Sequence, residues 1–248
     1  MIKKALGATI LFTLLSSAAN STPIIFHEGG SNPVDEGWRN SGFASAGPST
    51  ENGSDSWSIE KQLGYEYRSY SYTIDSDDLT LAKQLGWSYS FEVQYTDFLS
   101  PTSNGLFFQI NTNGKVWDGR IGGQADLDQV FSLGYGGPLS YVHEGSGQSF
   151  HNYEFRYDPF DELVDVYINN LLTFENIDGG SSSRPDGTGT ISWGISPSSA
   201  IGKGDWRWVD FSINESEPVA VSEPGSLVLL IAGILSLGVI RRIRSESK

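Results

Sequence analysis

The chain has 248 residues, no cysteine and a formal net charge of −14. Six of its 16 Lys and Arg residues, but only one of its 30 acidic residues, lie in residues 1–21 and 227–248. This leaves 10 basic against 29 acidic residues between them, a formal charge of −19. An acidic middle without a basic stripe argues against nucleic acid as a partner. The absence of cysteine excludes disulfides, thiol nucleophiles and thiolate metal sites.

The first 21 residues have the pattern of a cleavable signal peptide. Lys3 and Lys4 precede an apolar run over residues 5–15, and small residues follow that run. The run is too short to span a membrane as a helix, and its positive, apolar and small-residue regions occur in the order typical of secretion signals. We therefore expect export through the inner membrane, with cleavage after Ala19 or Ser21.

Alternation of apolar and polar side chains dominates residues 22–215, which we expect to form one domain. Alternation with a period of two predicts strands with one buried face. Residues 77–85 are the one stretch that fits a short helix. The clearest alternating segments are Ser88–Tyr95, Glu154–Tyr157, Val164–Ile168 and Val209–Ile213.

Turn signals separate these strands. Asn169-Asn170 lies between the apolar segments 164–168 and 171–174, and asparagine tolerates the positive φ of a type I′ turn, so a hairpin is predicted there. Asn111–Gly114 separates two further segments in the same way. Many short strands with regular turns predict an antiparallel sandwich or barrel.

This arrangement resembles the concanavalin A-like jelly roll, especially its laminin-G-like branch. That branch commonly has a strand ending in Tyr-Asp and then a strand ending in a Val-Asp-Gly hairpin. Here Tyr157-Asp158 precedes a strand that ends at Asn169-Asn170, and Gly204–Phe211 fits the closing strand. The resemblance implies an all-β fold, an antiparallel β-sandwich, for residues 22–215. The apolar runs at the two ends predict that an N-terminal signal helix and a single C-terminal hydrophobic helix flank this domain. Many domains of this type carry a structural Ca²⁺.

The C-terminal end, residues 222–248, has a distinct pattern that follows an acidic linker over residues 216–223. Its apolar run, Leu227–Ile240, is shorter than the roughly 20 residues that a comfortable transmembrane helix needs. Basic residues after such a run stay on the cytoplasmic side. The residues that define the pattern are Ser222, Glu223, Pro224, Arg241, Arg242 and Arg244.

This end resembles the PEP-CTERM sorting tail of Gram-negative bacteria, with Ser222 in place of the usual first proline. The resemblance implies recognition by an exosortase, which is an integral membrane processing enzyme, and a link to exopolysaccharide production. It also implies that the exported domain is anchored at least transiently in the membrane, in the cell envelope or extracellular matrix.

Tryptophans are the candidate ligand-binding residues. On a regular strand, Trp206 and Trp208 would lie on the outer face, opposite to Val209 and Phe211. Exposed tryptophans suggest a binding role, because flat rings stack against sugars. A β-bulge would instead reverse the alternation and place both rings in the core. Trp117 is a further candidate with the same alternative.

Loop carboxylates are the candidate metal ligands. Asp75, Asp77, Asp78, Asp126 and Asp128 lie in acidic clusters of the kind that can supply the oxygen ligands of Ca²⁺. None of these clusters matches a complete calcium-binding motif, and a solvated acidic loop is the alternative for each. A structural Ca²⁺ is therefore a candidate cofactor, and the sequence indicates no other.

Glu92 and Glu154 are the candidate catalytic residues, because both are predicted to face away from the core and a glycosidase needs two carboxyl groups. The sequence has no nucleophile elbow, zinc spacing or phosphate loop. We therefore expect an exported, non-catalytic module that binds carbohydrate or another extracellular polymer. The alternatives are a polysaccharide-active hydrolase or lyase on the same fold, and a structural envelope or biofilm protein.

Overall fold

Two antiparallel sheets make up the described part of the computed structural model. The structure describes residues 21–50, 55–96, 104–112, 114–123, 129–134, 139–144, 149–181, 188–197 and 201–214. Residues 1–20 of the predicted signal peptide, the linker and the sorting tail lie outside these ranges. No helix within them is long and apolar enough to cross a membrane.

The described residues form sixteen strands and one helix. The first eight strands are β1 (Ser21–Glu28), β2 (Arg39–Gly42), β3 (Ser45–Ser49), β4 (Ser56–Lys61), β5 (Arg68–Ile74), β6 (Trp87–Thr96), β7 (Asn104–Thr112) and β8 (Lys115–Gly123). The others are β9 (Gln129–Leu133), β10 (Leu139–His143), β11 (His151–Asp158), β12 (Leu163–Ile168), β13 (Leu171–Ile177), β14 (Gly180–Ser181), β15 (Gly189–Ile195) and β16 (Gly202–Asn214). Helix α1 (Ser76–Leu85) connects β5 to β6.

Each sheet contains eight of these strands. Sheet one has the order β13-β12-β11-β6-β16-β4-β3, and β1 pairs with β16 as well. Sheet two has the order β10-β9-β8-β7-β15-β5-β2, with β14 paired to β8. All of these pairings are antiparallel, so the predicted antiparallel sandwich is confirmed.

The predicted alternation is clearest in β6, at the centre of sheet one. Its residues Trp87, Tyr89, Phe91, Val93 and Tyr95 are fully buried. The polar residues between them point to the opposite face. The predicted hairpin is also confirmed, since its two asparagines connect β12 to β13 with φ values of 51° and 65°.

Aromatic rings fill much of the space between the sheets. The fully buried ring of Trp193 lies 4.7 Å from that of Tyr70 and 4.9 Å from that of Trp206, and it stacks on His27 at 5.0 Å. Phe91 packs in the same way against Phe108 from the other sheet. Large rings in such contacts contribute more than their buried area alone. The contacts of Trp193 with Trp206 and His27, and that of Phe91 with Phe108, therefore hold the two sheets together.

One extra residue in β16 determines which of its side chains are buried. Trp206 pairs with Val93 of β6, Trp208 pairs with the next residue, Glu92, and Arg207 is the extra residue between them. This bulge reverses the alternation, so Trp206 lies in the core and Trp208 lies on the outer face. The prediction that Trp206 faces outward is therefore wrong, because it assumed a regular strand.

Trp117 also belongs to the core. Its side chain is 3% exposed, its ring lies 5.5 Å from that of Trp87, and its Nε1 donates a hydrogen bond to the carbonyl oxygen of Ile177 at 3.3 Å. Neither Trp117 nor Trp206 offers a free ring face, which corrects the assignment of both as residues that stack on a ligand.

The core position of Trp206 can be tested by replacing it. We expect Trp206→Ala to lower the free energy of unfolding by about 3–5 kcal/mol, because it leaves a large cavity between the sheets. Trp206→Phe should lower it less, since most of the volume remains and the indole N–H, which is buried without a partner among the described residues, is removed. Urea denaturation gives both values. Phe160→Ala, which truncates a ring that is 95% exposed, serves as control and should stay within about 0.5 kcal/mol of the parent.

Candidate functional site

A row of five side chains crosses the outer face of sheet one, perpendicular to the strands. The register pairs Phe26 of β1 with Asp210 of β16, Asp210 with Ser90 of β6, Ser90 with Glu154 of β11, and Glu154 with Tyr167 of β12. Because neighbouring strands lie about 4.8 Å apart, this outer row is about 19 Å long. It has an aromatic ring at each end and polar groups between them.

Trp208 and Glu92 pair with each other beside the outer row, two residues along their strands from Asp210 and Ser90. The Glu92 carboxylate accepts a hydrogen bond from Nε1 of Trp208 at 3.2 Å and another from Nη1 of Arg207 at 3.0 Å. Arg207 in turn stacks over the ring of Phe150, with its Cζ atom 3.8 Å from the ring centroid. These contacts fix the orientation of the half-buried Trp208 ring.

Glu154 is held in a similar way by Arg156 on the same strand. Nε and Nη2 of Arg156 donate to the two carboxylate oxygens of Glu154, each at 2.8 Å. The Arg156 guanidinium also lies over the ring of Tyr167, 4.2 Å from its centroid. At an exposed position, a bidentate Arg–carboxylate pair of this kind fixes the orientation of the two side chains but adds little to the stability of the fold. It therefore orders this end of the row.

Asp210 differs from both glutamates. Its Oδ2 accepts a hydrogen bond from the Ser212 hydroxyl at 2.7 Å, while its Oδ1 is buried and has no hydrogen-bond partner among the described residues. Burial raises the pKa of Asp210 above its usual value, the charge of Glu154 raises it further, and the bond from Ser212 opposes both effects. The sheet thus keeps a desolvated carboxyl group with unused hydrogen-bonding capacity.

Together these residues form a surface suited to a ligand with many hydroxyl groups. Carboxylates accept hydrogen bonds from hydroxyls, guanidinium groups donate them, and aromatic rings provide flat apolar contact. Small side chains separate the larger ones, since Ser88, Ser90 and Ser212 lie on the same face. An extended ligand can therefore contact several strands at once.

The structure brings three of the sequence candidates, Trp208, Glu92 and Glu154, onto this one face. Glu92 and Glu154 are diagonal neighbours on adjacent strands, a relation that leaves long side chains within reach of each other. Donors already engage both oxygens of each carboxylate. The geometry therefore favours a binding role for both.

Sequence reasoning missed Phe26, Asp210, Arg156 and Tyr167 as members of the site. The alternation in Val209–Ile213 did place Asp210 on the outer face, which was a usable signal. No signal in the sequence indicated that Phe26 faces outward, because Phe26 ends an apolar run in which a bulge between Pro23 and Ile25 breaks the register.

Asp75, the first of the predicted calcium ligands at 75–78, has a local role at the start of helix α1. Asp75 is the N-cap of α1, where Oδ1 accepts hydrogen bonds from the backbone N–H groups of Asp77 and Asp78, each at 2.9 Å. These bonds hold the pKa of Asp75 below its usual value, that from Asp78 most strongly. Within the described ranges, no three His, Asp or Glu side chains are grouped so as to hold a metal ion. Asp126 and Asp128 lie outside those ranges.

A groove of about 210 Å³ lies on the outer face of sheet two. Phe107 provides its ring and Asp118, Arg120 and Gln109 its polar groups. Burial raises the pKa of Asp118, and the charge of Arg120 opposes that shift. Phe107 and the core residue Phe108 are the aromatic residues that line this groove, whereas the face of sheet one combines Phe26, Trp208 and Tyr167.

Comparison with known proteins identifies the fold. No protein-family model matches the chain, and a search of curated proteins finds no similar sequence. A conserved carbohydrate esterase from the Shiga toxin-encoding bacteriophage phi24B superposes with a TM-score of 0.61 at 13% identity, over 79% of this chain and all of the esterase chain. The carbohydrate recognition domain of Emp47p gives 0.51 at 12% identity, over 80% of this chain and 99% of that domain. At these identities the likeness shows the fold alone, and it confirms the jelly-roll sandwich.

The raised pKa of Asp210 predicts a pH-dependent effect of Asp210→Asn. The pKa of Asp210 is higher in the folded state than in the unfolded state, so ionisation of this group destabilises the fold. The destabilisation begins as the pH rises through the unfolded-state pKa, and it is complete once the pH exceeds the folded-state pKa. Asp210→Asn should therefore raise the melting temperature at pH 7, and the gain should vanish below about pH 3, where aspartate is protonated in both states. Thermal melts at several pH values test this. Glu175→Gln, at an exposed position on β13, is the matched control. An equal gain at pH 3 and pH 7 would contradict the explanation.

Proposed function

We propose that this protein is an exported, non-catalytic module that binds an extended polysaccharide across the outer face of sheet one. The observation that carries the proposal is the register, which aligns two rings and two carboxyl groups across five strands, with Trp208 and Glu92 beside them. An acidic domain favours neutral over anionic polymers, so we infer a neutral polysaccharide as the ligand.

The carboxylate geometry supports a binding role over a hydrolytic one. A glycosidase needs one carboxyl group that is free to give up a proton and one that attacks the sugar or activates water. In Glu92 and Glu154, every carboxylate oxygen accepts a hydrogen bond from Arg or Trp. Such oxygens can still accept a sugar hydroxyl with a second lone pair. The esterase and the carbohydrate recognition domain share the fold, but a fold hosts many functions, so the proposal rests on the face itself.

Retention of the full chain on immobilised laminarin, hydroxyethylcellulose, galactomannan, xylan and dextran tests the proposal. We expect retention on at least one of these neutral polymers. Trp208→Ala and Phe26→Ala should each weaken that binding about tenfold, a loss of about 1.4 kcal/mol, because each removes an apolar contact. Alginate, an anionic polymer, should bind less well than the neutral polymer.

Two control variants make this experiment specific. Phe160→Ala removes a highly exposed ring outside the face and should bind normally. Phe107→Ala removes the ring of the groove on sheet two; if it alone abolished binding, that groove would be the site. A folded protein retained on none of the polymers would favour a structural envelope protein. Shortening of a bound polymer, lost in Glu92→Gln, would identify a hydrolase or lyase.

We further propose that residues 1–21 direct export and that residues 222–248 sort the domain to the cell envelope, with an exosortase as processing partner. Support comes from the sequence: a short apolar run preceded by Glu223-Pro224 and followed by Arg241-Arg242. The tail would hold the domain at the membrane until it is processed.

Mass spectrometry of the protein from a Gram-negative host with an exosortase tests this second proposal. We expect the mature chain to start after Ala19 or Ser21 and to lack the apolar run 227–240. In the same host without the exosortase, the chain should keep that run and remain in the membrane fraction. Processing that is unaffected by loss of the exosortase would contradict the proposal. Glu246→Gln, a change beyond the arginine cluster, should be processed normally.

A further inference from the structure

Three aromatic rings, two of them exposed, form a cluster at one edge of the sandwich, on connections that contribute no residue to the outer row. Phe43 lies in the connection between β2 and β3, and Tyr65 and Tyr67 lie in the connection between β4 and β5. Each connection joins one sheet to the other. The ring of Phe43 lies 6.1 Å from that of Tyr65 and 5.7 Å from that of Tyr67. We call these three residues the edge platform.

Two of the platform rings are exposed although the backbone beneath them is firmly held. Phe43 is 57% and Tyr65 66% exposed. The backbone N–H groups of Phe43 and Ala44 donate to the carbonyl oxygen of Tyr67 at 2.9 and 3.0 Å. Gly42 makes this approach possible, because its φ is +96° and a Cβ at that position would overlap the Tyr67 carbonyl group.

The second connection is ordered by a carboxylate. Oε2 of Glu66 accepts hydrogen bonds from the backbone N–H groups of Gln62 and Leu63, at 2.7 and 2.9 Å. The Arg68 side chain donates to the carbonyl oxygen of Ala44 and so ties the two connections together. The exposed rings are therefore preorganised, and preorganisation lowers the entropy lost on binding.

A polar groove of about 260 Å³ begins beside the platform, on β3 and β4. It is lined by Ser45, Ser49, Ser58 and Glu60 together with small residues of β3. Ser45 follows Ala44 directly in the chain. The groove thus begins two residues along the chain from Phe43, at the end of β3 nearest the platform. Aromatic rings together with hydroxyl-bearing side chains are a combination that suits a saccharide.

The charges around the platform indicate which ligand it takes. The acidic rim consists of Glu60, which lines the groove, and Glu66, which lies between Tyr65 and Tyr67 in the chain of a domain that is acidic overall. The half-buried Arg68 beside them is hydrogen-bonded to the carbonyl oxygen of Ala44. A second copy of the chain would bring the same acidic rim against itself, and like charges facing each other disfavour association. An anionic lipid surface is disfavoured for the same reason. A neutral sugar ring can lie on the aromatic faces without a charge penalty, and the Tyr65 and Tyr67 hydroxyls can hydrogen-bond to it.

We propose that the edge platform and its adjoining groove are a second site for a neutral saccharide, independent of the outer row. The strands and connections that form it contribute no residue to that row. Where the proposed function of the outer row also holds, each molecule has two saccharide sites, and such a molecule can link two polymer chains or two segments of one chain. This cross-linking, but not the platform site itself, rests on the proposed function.

Fluorine NMR of the full chain labelled with 3-fluorotyrosine tests the platform directly. Tyr65→Phe and Tyr67→Phe assign the two platform resonances. The protein is titrated separately with laminarihexaose, cellohexaose, mannohexaose and xylohexaose. We expect at least one of these oligosaccharides to shift both resonances at millimolar concentration. Phe43→Ala should weaken the affinity that Tyr65 reports by at least tenfold, whereas Phe160→Ala should leave it unchanged. The resonance of Tyr141, a partly exposed residue on β10, serves as the internal control.

The same titration in Trp208→Ala separates the two sites. A Tyr65 shift that persists in this variant supports an independent platform, even if the outer row proves not to bind. A Tyr65 shift that disappears with Trp208 overturns the second site, as does the absence of any shift with all four oligosaccharides. If both sites bind the same saccharide, a solution of the corresponding polysaccharide should become turbid when the parent protein is added. The solution should stay clear with Phe43→Ala or with Trp208→Ala, because each variant lacks one of the two sites. Turbidity that survives either change would overturn the cross-linking role.

Discussion

The bulge at Arg207 is the constraint on which both faces of sheet one depend. Strand β16 pairs with β4 up to Trp206 and with β1 from Trp208 onward, so the extra residue lies where the neighbouring strand changes. Its backbone carbonyl oxygen accepts a hydrogen bond from the N–H of Gly29 at 2.7 Å. The bulge thus lets β4 and β1 pair with successive parts of the one long strand β16. It also buries Trp206 while leaving Trp208 on the surface.

The sequence predicted the fold well because burial of one strand face leaves a periodic signal. The alternation in β6, β11 and β12 is regular, and the Asn169-Asn170 turn and helix α1 appear where the local pattern indicated them. A bulge leaves no such signal, because the residues around Arg207 are compatible with either assignment of inner and outer faces. Whether a tryptophan is core or surface was therefore decided by pairing with β1 and β4, both far away in the chain.

The site was less predictable than the fold for the same reason. Phe26, Ser90, Glu154, Tyr167 and Asp210 come from five strands spread over most of the domain, and only the register aligns them. The sequence could assign single residues to an outer face but could not show which of them are neighbours. The edge platform was missed because its rings lie in connections, where no alternation marks an exposed aromatic residue.

Stability alone does not explain the outer face. Exposed ion pairs such as Arg156–Glu154 contribute little to folding, and the raised pKa of Asp210 means that its ionised form weakens the fold at neutral pH. Exposed rings such as Phe43 and Tyr65 gain nothing from the core. Carboxyl groups with a raised pKa and clustered exposed rings are features that folding selects against and ligand binding can retain. They occur at two separate places on the sandwich, the outer row and the edge platform, which are the two surfaces that we propose as saccharide sites.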